Sequence, residues 1–118
     1  MNALSIYKTF DIVILPFPFT DIHYTKNRPA VIISSHKNFS TKSSHSIIAM
    51  ITSTKTNWPL DFKIIDLKSC GLWNPSLIRM KLFCIDNRLI HKQIGVLSSV
   101  DQEKLKKNFG LLFAELLA

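Results

Sequence analysis

Arg28 stands at the join between a polar segment, Asp21 to Asn27, and a continuous apolar one, Ala30-Val31-Ile32-Ile33-Ser34, with Pro29 between them. A guanidinium keeps its charge at any physiological pH and presents a planar fork of donors that fits a phosphate. Thr52 and Ser53 close a second apolar run, Ile47-Ile48-Ala49-Met50-Ile51, and Asp86 closes a third after Ile85. Strand ends are where a small barrel shows polar groups without spoiling its core. A threonine hydroxyl beside Arg28 could hydrogen-bond a second phosphate oxygen or the neighbouring ribose. In the segment before Arg28, Tyr24 is of a type that stacks on an unpaired base and Lys26 of a type that meets a phosphate. Ordinary loop solvation is the alternative for both.

His23, close to Arg28 in sequence, could serve as a base at neutral pH. His36 and His45 fall in a polar stretch and read as solvated, and His91 follows a strand-like segment with no evident partner. Trp58 and Trp73 each adjoin turn residues and read as core or interface packing ahead of base stacking. Asp86 reads as a turn cap with Arg88 as its structural partner. Cys70 and Cys84 lie fourteen positions apart without CxxC spacing or paired histidines nearby, so a zinc site lacks ligands at workable spacing. Both read as buried free thiols, Cys84 as a small core residue within Leu82-Phe83-Cys84-Ile85.

The elements that must position these groups are short apolar runs separated by turn chemistry. Ile12 to Leu15, Ala30 to Ser34, Ser46 to Thr52, Phe62 to Leu67 and Leu77 to Ile85 read as strands, and Ile90 to Leu97 as a sixth. No helical pattern intervenes between them, which indicates an antiparallel sheet or small barrel instead of an α/β fold. Leu105, Phe109, Leu112 and Leu116 then recur at i, i+4, i+7 and i+11, one face of a helix placed at about Val100 to Leu117. Ser99 with Gln102 has capping-box spacing, and Asp101 suits the positive end of the helix dipole. Gly110 inside that helix costs about 1 kcal/mol relative to alanine, which points to close packing there. Ser34 to Ser46 reads as one long mobile loop.

The chain of 118 residues is one domain by size. Its 47% hydrophobic and 19% charged composition argues against disorder, and the longest apolar run is far short of a membrane span. The first residues lack the basic start and apolar core of a signal peptide, so a cytoplasmic protein is expected. The net charge of +7 resides entirely on residues 1–100, because from Asp101 onward three lysines offset three carboxylates. A basic field of this kind attracts nucleic acid or an acidic protein segment.

The chain resembles the MazF/PemK family of toxin endoribonucleases. Phe10-Asp11-Ile12-Val13 with Pro16-Phe17-Pro18-Phe19-Thr20 looks like the family's opening strand and loop, and Asn27-Arg28-Pro29-Ala30-Val31-Ile32-Ile33-Ser34 like its arginine-proline strand. Met50-Ile51-Thr52-Ser53, Gly71-Leu72 with Pro75-Ser76, Ile85-Asp86-Asn87-Arg88-Leu89-Ile90 and Gly95-Val96-Leu97-Ser98 continue the match in order. The resemblance implies a single MazF/PemK-like domain over 1–118: a mainly β, SH3-like small antiparallel barrel with a C-terminal helix. It also implies a homodimer that cuts single-stranded RNA without a metal ion or other cofactor, leaving 2',3'-cyclic phosphate and 5'-hydroxyl ends, and an acidic antitoxin that neutralises it. Arg28 and Thr52 take the catalytic positions, with Tyr24, Lys26, Asn27, Ser53 and Lys55 as substrate contacts. Two departures stand out: Phe10 where the family commonly has glycine, and His23-Tyr24-Thr25-Lys26 in place of a Gly/Ser-rich stretch. A second reading is a CcdB-like poison that binds DNA gyrase without cutting RNA, and a third is an inert member kept for antitoxin binding; Arg28 with Thr52 favours the nuclease.

Overall fold

The computed structural model describes residues 7–17 and 26–118. Strands β1 (Asp11–Phe17), β2 (Lys26–Ile32), β3 (His45–Thr52), β4 (Phe62–Lys63), β5 (Leu77–Asp86) and β6 (Lys92–Val96) form one curled antiparallel sheet, a half-barrel, in the order β4-β5-β3-β2-β1-β6. Short helical segments α1 (Thr41–Ser43) and α3 (Ala114–Leu117) accompany the main helix, α2 (Ser99–Leu112). The expected mainly β architecture with a terminal helix holds. No helix among the described residues is long and apolar enough to cross a membrane.

The continuous apolar runs follow from a sheet covered on both faces. Ile12, Val31, Ala49, Ile51 and Ile78 join Leu97 and Leu105 in one core cluster beneath α2. Their neighbours Val13, Leu15, Ala30, Ile32 and Ile48 pack into a second cluster. A bulge between Ala49 and Met50, where β3 meets β5, adds to the curl.

Between the two edge strands the turn at residues 67–72 closes most of the gap. Val96 N–H donates to Ser69 O at 3.0 Å, and Ser69 Oγ donates to Val96 O. Two glycines permit this approach. Gly71 has φ 74°, and a Cβ there would stand 2.2 Å from Ile94 O, while a Cβ on Gly95 would stand 2.4 Å from the Cys70 carbonyl carbon.

Several local expectations change. Of the run from Phe62 to Leu67 only Phe62–Lys63 is strand. Beyond it the amides of Ile65 and Asp66 donate to the Asp101 carboxylate, each at 3.0 Å, instead of to a neighbouring strand. Strand β2 begins at Lys26, four residues before the apolar run, because its polar half pairs with β1. The Ser34 to Ser46 stretch is not an open loop: a π-turn over His36–Ser40 leads into α1, tied down by buried contacts among Ser34, Ser40, Ser46 and Asn87. Ser98, not Ser99, caps α2, accepting from Asp101 N–H, and Gln102 donates instead to Leu97 O at 2.7 Å. Asp101 is itself buried, so it anchors the 64–66 segment as well as facing the helix dipole. The helical face is shorter than its spacing suggested: Leu105 is core, whereas Leu116 is 77% exposed. Gly110 has open space around it, so close packing is not the reason for that glycine.

Candidate active site

The register of the central strands builds the site. Ile33 N–H donates to Ile47 O across β2 and β3 at 2.9 Å. By the two-residue alternation of a strand, the next amides on that side of β2 belong to Val31 and to position 29. Proline at 29 has no amide hydrogen, and the β2–β3 ladder stops at Ala30↔Met50. β2 remains paired with β1 through Pro29↔Ile14 and Arg28↔Leu15. The two strands therefore part just before Arg28 and after Ile51. Arg28 and Thr52 each lie two residues beyond the last pair of the β2–β3 ladder, one on either strand of the fork.

A cleft of about 420 Å3 opens at that fork. Lys92, Ile14 and Pro29 form a cross-strand row over β6, β1 and β2, and together with Ile51 they make its floor. Arg28 and Thr52 lie on its walls, and Lys26, Asn27 and Ser53 line it as well. The facing wall comes from the connection between β4 and β5, with Gly71, Leu72, Trp73, Asn74 and Ser76. A smaller hollow of about 190 Å3 adjoins it, sharing Thr52, Ser53 and Ser76 and reaching Lys63.

The charge of the cleft's described lining is one-sided. It contains Lys26, Arg28 and Lys92 and, among the described residues, no Asp or Glu. Arg28 is half-buried, and its side chain makes no hydrogen bond or ion pair with the described residues. The other two arginines are occupied: Arg79 lies against Asp61 at 2.9 Å and Arg88 against Asp86 at 2.7 Å. The Arg88 guanidinium and backbone amide both donate to Asp86 and hold its carboxyl down at about 2, so this pair is structural, as its sequence position suggested. Thr52 is 8% exposed, and its Oγ1 accepts from Thr54 N–H at 3.2 Å. That bond fixes the oxygen and leaves the hydroxyl hydrogen to donate into the cleft.

Five of the seven residues singled out from the sequence, Arg28, Thr52, Lys26, Asn27 and Ser53, line this one cleft. Lys55 is exposed in the following loop and is not part of the lining. Tyr24 and His23 lie outside the described residues. Trp73, expected to pack in a core or an interface, is 95% exposed at the cleft mouth. Trp58 is 42% exposed, with the Arg79 and Lys81 cations over its ring. Cys84 is exposed, contrary to its reading as core, because β5 turns that position away from both apolar clusters. Cys70 is the buried thiol, pushed up to about 11 by burial and then by the nearby Asp101 and Asp66 carboxylates. Lys92 and Asn74 had no signal in the sequence, and Trp73 was expected in a core or interface ahead of base stacking, since only the pairing of β6 with β1 and the folding back of the β4–β5 connection bring the three to the cleft of Arg28.

Residues 8–113 match the model of a family described as the PemK-like, MazF-like toxin of type II toxin-antitoxin systems. No curated protein matches the chain. Among solved structures, the Mycobacterium tuberculosis toxin MazF-mt6 is similar at 21% identity, covering 88% of this chain and 96% of that one, with TM-score 0.69. A MazE-MazF structure from Deinococcus radiodurans is similar at 15% identity, with 91% and 94% covered and TM-score 0.69. An endoribonuclease in complex with its cognate antitoxin, from a mycobacterial species, is similar at 10% identity, with 92% and 95% covered and TM-score 0.71. At these identities the likeness speaks for a shared fold.

Proposed function

The chain belongs to the PemK-like, MazF-like toxin family of type II toxin-antitoxin systems, and from that membership we propose that it is a sequence-specific, metal-independent endoribonuclease acting on single-stranded RNA. The observation that carries this reading is that Arg28, without a side-chain partner among the described residues, lines one cleft with Thr52, Lys26 and Lys92 and with no described carboxylate. A cleft of that charge favours a phosphodiester over a neutral or cationic ligand.

In the reaction, the ribose 2'-oxygen attacks the adjacent phosphorus as its proton leaves. The bond from phosphorus to the 5'-oxygen breaks, and that oxygen takes up a proton. The products are a 2',3'-cyclic phosphate and a 5'-hydroxyl. Negative charge grows on the phosphate between these events, and Arg28 lies where its fork can meet the non-bridging oxygens. A guanidinium with pKa of about 12.5 or more is a poor proton donor, so its part is electrostatic. Thr52, its oxygen fixed by the Thr54 amide, orients the phosphate or ribose by donating a hydrogen bond. The adjoining hollow, which reaches Lys63, gives room for nucleotides beyond the scissile one.

The same basic cleft suits an acidic antitoxin segment, whose binding would cover Arg28 and block the substrate. A homodimer acting in the cytoplasm completes the proposal. The test is incubation of the purified protein with a long single-stranded RNA in excess EDTA, beside the Arg28→Ala variant, with the new 5' ends mapped and tested for hydroxyl. Cleavage at a recurring short motif, lost in the variant, is expected. Absence of cleavage by the folded protein, or cleavage that requires added metal, would overturn the proposal.

A further inference from the structure

Trp73 is 95% exposed, the most exposed large apolar side chain among the described residues. An indole left this bare in water is unfavourable unless something covers it for part of the time. Trp58 offers the contrast: its ring carries the Arg79 guanidinium at 4.9 Å and the Lys81 ammonium at 5.8 Å. No ring or cation lies against Trp73 among the described residues.

The segment that carries Trp73 is firmly held. Gly71 N–H donates to Lys68 O and Leu72 N–H to Leu67 O, each at 3.0 Å. On the other side Ser76 Oγ donates to Asn74 O at 2.8 Å, and Ile64 N–H donates to Ser76 O at 3.0 Å. Gly71 is pressed against Ile94 of β6 so closely that no side chain fits there. Trp73 is thus displayed on a fixed wall of the cleft that also contains Arg28 and Lys92.

We propose that Trp73 is the stacking platform for an unpaired base of the RNA strand whose phosphate lies at Arg28, with Lys92 beside it for a neighbouring phosphate. The proposal rests on the ribonuclease reading above and adds a subsite to it. A flat π surface at a cationic cleft with no carboxylate among its described lining residues fits a nucleobase between phosphates better than an aliphatic or acidic partner. Because every base has a π face, such a platform adds affinity at one nucleotide position with little base discrimination, favouring the larger purines.

The test uses Trp58→Phe, which keeps a ring beneath Arg79 and Lys81 and leaves Trp73 as the only indole. The probe is a 2'-O-methyl oligonucleotide about a dozen residues long, whose blocked nucleophile prevents cleavage, beside an abasic oligomer of equal length. Quenching of Trp73 emission by the first and not by the second is expected. Trp73→Ala should weaken binding of the 2'-O-methyl probe by about tenfold to a hundredfold, measured by anisotropy in the chain that retains Trp58, and Trp73→Phe should recover most of it. In cleavage, Trp73→Ala should raise KM far more than it lowers kcat. Equal quenching by the abasic oligomer, or unchanged affinity and KM in Trp73→Ala, would overturn the platform while leaving the nuclease standing. A shift in sedimentation of Trp73→Ala that accounts for its lost affinity would assign the indole to contact between protein copies and overturn the platform. A wild-type protein that neither binds the probe nor cleaves RNA would overturn both proposals.

Discussion

Two arginines of the same chain should fail in opposite ways. The Arg79 side chain is 7% exposed and faces an Asp61 side chain that is 10% exposed. It donates to both carboxylate oxygens, at 3.2 and 2.9 Å, and to Thr56 O at 3.0 Å. Arg79→Ala strands a buried carboxylate, which costs about 3–5 kcal/mol. For a chain of this size each kcal/mol moves Tm by roughly 3–6 °C, so a fall on the order of 10–25 °C is expected. Arg28 has no such partner among the described residues, and Arg28→Ala should shift stability by no more than about 0.5 kcal/mol, roughly 2–3 °C. The rate should move the other way: losing one aligned donor to the charged transition state costs about 100- to 1000-fold in kcat. Arg79→Ala, assayed well below its own melting point, should stay within about tenfold of wild type. Calorimetry paired with cleavage of a short fluorogenic RNA in EDTA reads both quantities. An Arg28→Ala protein that melts 10 °C lower, or that cleaves within a few-fold of wild type, would refute the assignment of Arg28 to the phosphate.

Thr52→Ala should slow cleavage while leaving the affinity for a 2'-O-methyl RNA within a few-fold, because the hydroxyl orients a substrate that the cations hold; an unchanged rate would remove Thr52 from the reaction. Gly110→Ala should raise stability by about 1 kcal/mol, since the new methyl meets nothing within 4 Å and alanine is the better helix former; a lower Tm on thermal melting would show a contact at that face. At pH 8 an aromatic disulfide reagent should label Cys84 in the native protein. Cys70, buried and protonated until about pH 11, should react only in denaturant. Fast labelling of both thiols in the folded protein would contradict the burial of Cys70.

What was legible in the sequence was what periodicity and local chemistry record. The apolar runs gave the strands of a mainly β half-barrel because both faces of the sheet are covered, and Asp86 with Arg88 declared its turn through neighbours two residues apart. The misplacements share one cause, contact between residues distant in sequence. Phe62 to Leu67 reads as a long strand until Asp101, thirty-five or more positions away, takes two of its amides. Cys84 sits in an apolar run yet faces solvent, and Gly110 reads as a packing requirement although its surroundings are open. Within the candidate site, Arg28, Thr52, Lys26, Asn27 and Ser53 were recognisable from their place at strand ends. Lys92 was not, and Trp73 was read as packing ahead of base stacking, because only the pairing of Lys92 with Ile14 and the folding back of the 67–76 segment bring them to the same cleft.

The arginine-proline pair owes its weight to both residues. An arginine at a continuous strand edge would lie along the sheet, with the backbone beside it already satisfied and no space for a ligand. Proline at 29 withholds the amide that would bond toward Ile51, so β2 parts from β3 while its other side stays locked to β1 through Ile14. The fork that results is bounded by paired strands on one side and by the 67–76 segment on the other, and that segment is pinned by the glycine contacts at Ile94 and Cys70. On the proposed reading, this frame holds the Arg28 backbone in place for a phosphate, which is the preorganisation that electrostatic stabilisation of a transition state requires. Three of the described carboxylates are engaged elsewhere: Asp61 is held by Arg79, Asp86 by Arg88, and Asp101 by the amides of Ile65 and Asp66. With those three spent on the scaffold and no carboxylate among the described lining residues, the field at Arg28 is left to be answered by a ligand.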